Sequence, residues 1–384
     1  MRGAEAVLAC LREQGVDTVF GYPGGMILPL YDALYGQTEI RQILVTHEQN
    51  AAHAADGYAR ATGRVGVCIA TSGPGATNLV TGIATAYMDS IPMVAITGQV
   101  DLEMLGRDAF QETDILDVTM PVTKHNYKVK NAADLVPTIR EAFALARSGR
   151  PGPVLIDVPR NLFFEEVAYA EQKREERRPG KPDADFAICA AEAAAEIVNA
   201  ERPLVIVGGG VISAGASAQT IAFIEKYKLP VVHTLMGMGG IPSTHPQMLG
   251  FIGMHGAKTA NYAVGAADLV IALGSRFADR QTGNLSKFTA NRKFIHIDID
   301  PAEIDKIVGS SIGLAGDMCV ILNLLMRQAP KSDYAAWWQQ LHTWQEEFAY
   351  DYHSDALSVP WALNQVARMT AGKAYAYATD VGQH

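Results

Sequence analysis

One glutamate and two glycine-rich loops near the start of the chain have residue types and spacing that suit ligand chemistry. Glu48 follows the apolar segment ILV (43–45) and begins a helical pattern, so it is predicted where a strand ends and a helix begins. The loops GYPGG (21–25) and TSGPGATN (71–78) each close a predicted strand. A carboxylate at strand ends, where parallel α/β sheets bind ligands, can exchange a proton with a ring nitrogen. A helix-start carboxylate favoured by the helix dipole explains the same position without chemistry.

Glycines also follow a predicted strand in the second half of the chain. In PLVIVGGG, Gly208–Gly210 suit backbone contact with a phosphate or a flat cofactor. Asp298 or Asp300 could accept a hydrogen bond from a ribose hydroxyl, with a structural aspartate in a turn as the alternative. Four more segments lie at or just past predicted strand ends: TLMG (234–237), GMHG (253–256), LGSRFADR (273–280) and HIDID (296–300).

The elements that must position these residues alternate between short apolar runs and longer helical patterns. Such alternation predicts parallel sheets with helices on both faces. The first set of predicted strands is VDTVF (16–20), Gln42–Val45, Gly66–Ala70, Met93–Thr97 and Val154–Val158, with helices over Gly3–Gln14, Asn50–Thr62, Ala76–Met88 and Ala132–Arg147. The second set of strands is Leu204–Val207, Val231–His233, Leu269–Leu273 and Phe294–Ile299. The predicted fold class is therefore α/β, with doubly wound parallel sheets in two consecutive domains.

The domain boundaries follow from shifts in composition along the chain. We predict a first domain over 1–163, a charged, Pro-containing linker over 164–185 and a second domain over 186–328. Residues 329–384 hold all four tryptophans, two helical patterns and the strand-like AYAYATD (374–380), and they are predicted to begin a third α/β domain.

Composition excludes several functional classes. The net charge is −9, and no basic block extends beyond 173–178, which argues against nucleic acid as a partner. No apolar run approaches the roughly 18–20 residues of a membrane span, so no membrane is expected. The four cysteines are far apart, which suits a reducing cytoplasm. The histidines lack metal-ligand spacing, and no metal site is predicted.

Ten motifs taken in order resemble the large catalytic subunit of acetohydroxyacid synthase, also called acetolactate synthase. They are GYPGG (21–25), HEQ (47–49), ATSGPGATNLVTG (70–82), AITGQV (95–100), DAFQETD (108–114), TKHNY (123–127), SGRPGPVLIDVP (148–159), TLMG, GMHG and RFADR. The resemblance covers essentially the whole chain. It implies a thiamin-diphosphate enzyme with a pyrimidine-binding domain, a central FAD-binding domain and a diphosphate-binding domain.

The resemblance also implies an activity. Such an enzyme decarboxylates pyruvate on thiamin diphosphate and adds the enamine to a second 2-keto acid, giving 2-acetolactate or 2-aceto-2-hydroxybutyrate for branched-chain amino-acid biosynthesis. A related pyruvate oxidase or 2-keto acid decarboxylase is one alternative. A truncated, non-catalytic FAD-binding module is another.

Site residues are carried over by position. Glu48 matches the glutamate that activates thiamin diphosphate, and Gly25 and Gln111 are the other catalytic candidates. Phe110 and Gln111 shape the substrate pocket. The remaining thiamin-diphosphate positions are Gly24, Pro74, Asn78, Gln383 and His384. The FAD positions are Arg150, Gly208, Gly209, Gly210, Thr234, Leu235, Met236, His255, Gly256, Gly274, Arg276, Asp298, Ile299, Gly316 and Asp317.

The resemblance also implies partner subunits, and the sequence differs from the family at the Mg²⁺ ligands and at position 107. The family's site lies between subunits, which implies a homodimer or homotetramer, and a small regulatory subunit can join it. Family members bind Mg²⁺ through a GDG motif and a downstream Asn, whereas Asp56–Gly57 is the only Asp-Gly pair here. The chain is therefore expected to stop before the Mg²⁺ ligands, and its activity alone stays open. Arg107 also stands where a small polar residue is expected.

Overall fold

A computed structural model describes residues 1–172, 184–330, 333–350, 352 and 357–378. These residues form two six-stranded parallel sheets, each with its own helices. The predicted fold class, α/β with two consecutive parallel-sheet domains, is confirmed. Of the predicted linker, 173–183 lies outside the described residues, as does the basic block at 173–178.

The first sheet has the strand order β2-β1-β3-β4-β6-β5. Its strands are β1 Thr18–Gly21, β2 Arg41–Leu44, β3 Gly66–Ala70, β4 Met93–Gln99, β5 His125–Lys128 and β6 Pro153–Pro159. Its helices are α1 Gly3–Glu13, α2 Leu28–Leu34, α3 Glu48–Thr62, α4 Pro74–Asn78, α5 Val80–Met88, α6 Ile115–Thr119 and α7 Leu135–Arg147. The predicted strands of this half recur here with ends shifted by a few residues, and so do its predicted helices except the one over Ala76–Met88.

Alternating side chains of the central strands fill two separate cores, one on each face of the first sheet. In β3, Val67 and Ile69 join the cluster that includes α1 and α7, whereas Cys68 and Ala70 join the cluster beneath α3 and α5. Side chains of a strand point alternately to opposite faces, so two buried faces require the continuous apolar runs seen in the sequence. This packing fixes the strand ends that carry the glycine loops.

The second sheet has the strand order β12-β11-β10-β7-β8-β9. Its strands are β7 Pro203–Val207, β8 Val231–His233, β9 Met248–Phe251, β10 Leu269–Leu273, β11 Lys293–Asp298 and β12 Ile312–Ala315. Its helices are α8 Ala184–Asn199, α9 Gly209–Ser213, α10 Ser217–Tyr227, α11 Lys258–Ala266, α12 Asp279–Thr282, α13 Leu285–Thr289 and α14 Met318–Leu325.

Three strands escaped the sequence analysis, and all three lie at sheet edges. They are β5, β9 and β12. An edge strand has one hydrogen-bonded neighbour and more exposed side chains, so its sequence lacks a long apolar run. Strand β5 reads HNYK and none of its residues is fully buried. Three of the four edge strands were thus missed by a search for apolar runs, and only the edge strand β2 was predicted.

The single helix predicted over Ala76–Met88 is wrong in its start and its continuity. The helix begins at Pro74, whose fixed φ suits the first helical position, and it is interrupted at Leu79. There the Leu79 amide donates to the carbonyl of Ala76, three residues back, at 3.1 Å. Asn78 thus ends α4.

The tryptophan-rich segment packs on the second domain. Helix α15, Ala335–Glu347, buries Trp337 against the core, and the Trp337 indole donates to the Pro203 carbonyl at 3.1 Å. Helix α16, Val359–Thr370, has no buried residue among those described. The strand expected over 374–380 is wrong for 374–378, which pairs with no described strand, because alternation alone supplies no partner. Residues 379–380 lie outside the described part.

The described helices include none that is long and apolar enough to cross a membrane. All four cysteines are free thiols, and Cys10 and Cys68 are buried. Burial raises the pKa of each of these two thiols to about 12.

Candidate active site and the cavity between the domains

Glu48 is the first residue of α3, and a short connection separates it from the end of strand β2 at Leu44. His47 caps the helix, with its Nδ1 accepting from the Gln49 amide at 3.1 Å. A stripe of buried alanines on α3 packs against the sheet, and Gly63 ends the helix with φ +69°. The Glu48 side chain is 8% exposed. The junction predicted from the sequence therefore places a nearly buried carboxylate at the strand ends.

One amide and one glycine define the surroundings of the Glu48 carboxylate. Asn78 Nδ2 donates to Glu48 Oε2 at 2.9 Å. A Cβ added to Gly75 would lie 3.2 Å from Glu48 Oε1 and 2.7 Å from Thr71 Cγ2. Gly75 therefore lets the loop backbone pack closely against Thr71 and the Glu48 carboxylate, where a larger residue would collide.

The loop at 21–26 locks onto the loop at 71–78. The Met26 amide donates to Thr71 Oγ1 at 3.2 Å, and a Cβ on Gly24 would come within 2.5 Å of Thr71 Cγ2. A Cβ on Gly25 would meet no atom within 4 Å. Gly24 therefore serves close packing between the loops, while Gly25 borders open space.

A third loop, between β4 and α6, reaches the same corner. A Cβ on Gly73 would lie 2.5 Å from the carbonyl oxygen of Gln111, so the two backbones are in contact. Gly73 has φ +58° and Gln111 has φ +57°. Phe110 is 79% exposed. We name the three loops together with Glu48 the glutamate corner, formed by 21–26, 48, 71–78 and 106–113.

The glutamate corner brings together all the predicted thiamin-diphosphate and substrate positions that the structure describes. Gln383 and His384 lie outside the described residues. Thr71 was missed as an individual residue, although it lies within a motif that sequence analysis singled out. The buried hydroxyl of Ser72 has no hydrogen-bond partner among the described residues. An orphaned buried hydroxyl, a nearly buried carboxylate and the open space at Gly25 fit a polar ring such as the pyrimidine of thiamin diphosphate.

A cavity of about 610 Å³ opens at the carboxyl ends of strands in the second sheet and is closed on one side by the first domain. Most of the predicted FAD positions line it: Arg150, Gly209, Gly210, Thr234, Leu235, Met236, His255, Gly274, Arg276, Asp298, Ile299 and Gly316. We name this space the interdomain cavity.

Three predicted FAD residues do not line the interdomain cavity, and each has a visible structural role. A Cβ on Gly208 would lie 2.1 Å from the Gly274 carbonyl oxygen, and one on Gly256 would lie 2.5 Å from that of Phe251. Asp317 caps α14 by accepting from the Cys319 amide at 3.0 Å. These three residues therefore support the loops that line the interdomain cavity.

The first domain contributes wall residues that sequence analysis missed. Asp89 and Ser90 lie between α5 and β4, where no motif marks them, and only the packing of the two domains brings them to the cavity. Arg280 and Gln281 also line it. Arg280 ends the RFADR motif, so its signal was present in the sequence and was not used.

Arg150 connects the two domains at the cavity wall. Its Nε donates to Ser90 Oγ at 2.8 Å, and its guanidinium lies 2.7 Å from Glu303 Oε1 and 3.5 Å from Asp300 Oδ2. Lys124 supports the turn before Arg150 by donating to the Leu145 and Ser148 carbonyls, and burial lowers the pKa of Lys124 to about 8. The arginine is thus held in place by both domains.

Further charges surround the interdomain cavity. Asp89 lies 2.8 Å from the Arg60 guanidinium and 3.9 Å from that of Arg276. Burial raises the pKa of Asp298, while the Asp300 amide donates to its carboxylate at 3.0 Å. Arginines next to glycine-rich strand ends suit a bound diphosphate.

Gln281 supplies a further sign of a ligand. Its Oε1 accepts from Ser275 Oγ at 3.1 Å, while its Nε2 is buried and has no partner within the described part of the chain. A buried donor without an acceptor at a cavity wall fits a ligand with polar atoms, such as a flavin nucleotide. Among the described residues, no group of three His, Cys, Asp or Glu side chains could hold a metal ion.

Comparison with known families first defines the class of the protein. Residues 1–118 match the family "Thiamine pyrophosphate enzyme, N-terminal TPP binding domain". Residues 190–325 match "Thiamine pyrophosphate enzyme, central domain". The glutamate corner lies in the first match and most of the interdomain cavity wall in the second. The fold is thus that of a thiamin-diphosphate enzyme.

Individual relatives narrow this class. The chain is 45% identical to the acetolactate synthase large subunit of Haemophilus influenzae and 44% identical to the isozyme 3 large subunit of Escherichia coli, covering 100% of itself and 69% of each relative. A probable large subunit of Methanocaldococcus jannaschii is 50% identical over 85% of this chain and 56% of the relative. The chain belongs to the acetolactate synthase large-subunit family, whose members are thiamin-diphosphate-dependent carboligases of the transferase class.

Proposed function

We propose that Glu48 is the group through which this chain activates thiamin diphosphate for reaction with pyruvate. The observation that carries the proposal is the nearly buried Glu48 carboxylate, held by Asn78 and approached closely by the backbone at Gly75. Bound thiamin diphosphate supplies the electron sink for loss of CO₂ from a 2-keto acid. The products are 2-acetolactate or 2-aceto-2-hydroxybutyrate, intermediates of branched-chain amino-acid biosynthesis.

The residues of the glutamate corner have different roles in this proposal. Glu48 holds and exchanges a proton at a pyrimidine nitrogen, and Asn78 orients the carboxylate through its 2.9 Å hydrogen bond. The open space at Gly25 leaves room for the reacting groups. Phe110 and Gln111 contact the 2-keto acids.

We further propose that the interdomain cavity holds FAD. Arg150 and Arg276 would bind its diphosphate, and Gly209 and Gly210 would allow the backbone to approach it. Gln281 Nε2, which has no partner among the described residues, would donate to the flavin nucleotide. Carboligation requires no net redox step, so the role of this FAD is structural.

Mg²⁺ accompanies the diphosphate of thiamin diphosphate in this proposal, bound by hard oxygen ligands. The sequence contains no GDG motif, so no residue of this chain is assigned to the metal. A homodimer or homotetramer supplies the opposite wall of the glutamate corner. Because the relatives are named large subunits, we also propose a smaller regulatory partner. The cytoplasmic location stays a prediction from the cysteine pattern.

The test is acetolactate formation from pyruvate by this chain with saturating thiamin diphosphate, Mg²⁺ and FAD. Glu48→Gln is compared with the control Glu39→Gln, which removes an exposed carboxylate of the same domain. We expect the first variant to lose about 10²–10⁴-fold in rate and the control to match the wild type. An unchanged rate in Glu48→Gln would refute the role of Glu48.

Product analysis separates the alternative activities. Acetate formed with flavin reduction would indicate a pyruvate oxidase, and acetaldehyde would indicate a 2-keto acid decarboxylase. Bound flavin without any turnover would favour the non-catalytic FAD-binding module.

A further inference from the structure

The loop from 106 to 113 is built around one of its own carboxylates. Glu112 Oε1 accepts from the Gly106 amide at 2.5 Å, and Oε2 accepts from the Ala109 amide at 2.9 Å. The Glu112 amide donates in turn to the Ala109 carbonyl at 2.9 Å. These amide donors, Gly106 foremost, lower the pKa of Glu112. The side chain therefore closes the loop on itself as a charged acceptor.

The backbone conformation of the loop around Glu112 is unfavourable for the residues that adopt it. Asp108 has φ +52° and Gln111 has φ +57°, values that side-chain-bearing residues seldom adopt. Gly106 also has a positive φ, +72°. Such a backbone persists only where surrounding contacts impose it, and the paired hydrogen bonds to Glu112 provide those contacts.

A different set of contacts fixes the far end of the loop. Gln99 Nε2 donates to the Thr113 carbonyl and to Asp157 Oδ2, both at 3.0 Å, so the end of the loop is tied to the buried sheet. Lys128 pairs with Asp114 at 3.2 Å. The end is thus anchored from outside, whereas the segment 106–112 relies on Glu112 inside it.

We propose that Glu112 is a positioning residue that holds Gln111 and Phe110 in their places at the substrate pocket. This inference rests on the proposed function, which assigns those two side chains to the 2-keto acids. Glu112 acts through the backbone: by fixing Gly106 and Ala109 it sets the turn that brings the Gln111 carbonyl against Gly73. Its carboxylate is occupied by amides and is not a substrate contact.

The first experiment measures how well the loop is closed. Arg107 is exposed within the loop, so trypsin can cut the Arg107–Asp108 bond of the native protein once the loop opens. We expect Glu112→Gln, which loses the charge of the acceptor, to be cut there about tenfold faster than the wild type, with mass spectrometry locating the cut. The matched control is Glu103→Gln, an exposed carboxylate just before the loop, which should be cut at the wild-type rate. An unchanged rate in Glu112→Gln would overturn the inference.

The second experiment uses steady-state acetolactate formation by the holoenzyme. We expect Glu112→Gln and Gln111→Ala both to raise the KM for pyruvate, with Glu112→Asp restoring part of the loss. If Gln111→Ala raises KM and Glu112→Gln does not, the positioning role is refuted while the pocket assignment stands. If neither raises KM, the pocket assignment fails and takes the inference with it.

Discussion

The glutamate corner and the interdomain cavity are both formed at the ends of parallel strands, yet they differ in how far this chain encloses them. The interdomain cavity has walls from two domains, and its charges Arg150 and Arg276 already have acidic neighbours. The described residues of the glutamate corner all belong to the first domain. Phe110 projects into solvent, and Tyr22 and Leu28 in and beside its first loop are exposed as well. Isolated exposed apolar residues are ordinary, but several around one site suit an interface. Both domains of one chain thus line the cavity, whereas the exposed side chains at the corner are where the proposed second subunit would pack.

The largest expected effect is the loss of acetolactate formation in a Glu48 variant, which tests whether the glutamate corner and the interdomain cavity function separately. Glu48→Gln should abolish most carboligation, by about 10²–10⁴-fold, because the amide cannot take up a proton as the carboxylate does. The same variant should retain flavin with wild-type affinity, since Glu48 does not line the interdomain cavity. Flavin absorbance after gel filtration checks this, and loss of flavin in Glu48→Gln would show that the regions are not independent.

The next effect concerns the cavity alone. Arg150→Gln removes the guanidinium between Ser90 and the nearly buried Glu303, leaving that carboxylate without its 2.7 Å partner. We expect FAD affinity to fall by about 10–100-fold, measured by quenching of flavin fluorescence on binding. Arg327→Gln, at an exposed position of the second domain that does not line the cavity, is the control. Equal affinities in the two variants would remove Arg150 from the flavin site.

A matched pair of glycines tests the open side of the corner. Gly24→Ala would force a Cβ to within 2.5 Å of Thr71, so we expect a loss of about 1–3 kcal/mol in the free energy of unfolding. Gly25→Ala meets no atom within 4 Å, and its stability should stay near that of the wild type while its added methyl group lowers the acetolactate rate. Urea denaturation measures the stability of both variants, and acetolactate assays measure their rates. The reverse order of stabilities would contradict the loop packing.

The smallest expected effect is on the pH dependence of the free energy of unfolding, and it comes from Asp157, a buried acid of β6. Burial raises the pKa of Asp157 to about 6, although Thr97 and Gln99 donate to its carboxylate. An acid whose pKa is higher in the folded state stabilises the fold below its unfolded value and loses that contribution as pH rises through about 6. Unfolding free energy should therefore fall by on the order of 2 kcal/mol between pH 4 and pH 7 from this group.

Asp157→Asn should flatten this pH dependence, whereas Asp117→Asn, at an exposed position of α6, should leave it unchanged. Denaturation curves at several pH values measure the slope. A wild-type slope in Asp157→Asn would assign the titration to another group.

The sequence predicted best the strands that are buried on both faces of a sheet. Strands β3, β4 and β10 are continuous apolar runs because each packs on two sides, and each was predicted. The edge strand β5 carries polar side chains, so its sequence resembles a loop. The interruption at Leu79 was missed for a related reason: its dihedral angles remain helical, and only the hydrogen-bond partner changes.

By itself the sequence determined the fold class, the family, the position of Glu48 at a strand-to-helix junction and the loops whose glycines permit close approach. These properties depend on periodicity and residue type along a short stretch of chain. Only the tertiary structure decided that Asn78 holds the Glu48 carboxylate, that Gly24 packs while Gly25 borders space, and that Asp89 and Ser90 close the interdomain cavity. Those relations join residues far apart in the chain, and they exist only after each sheet has buried its faces and the domains have packed together.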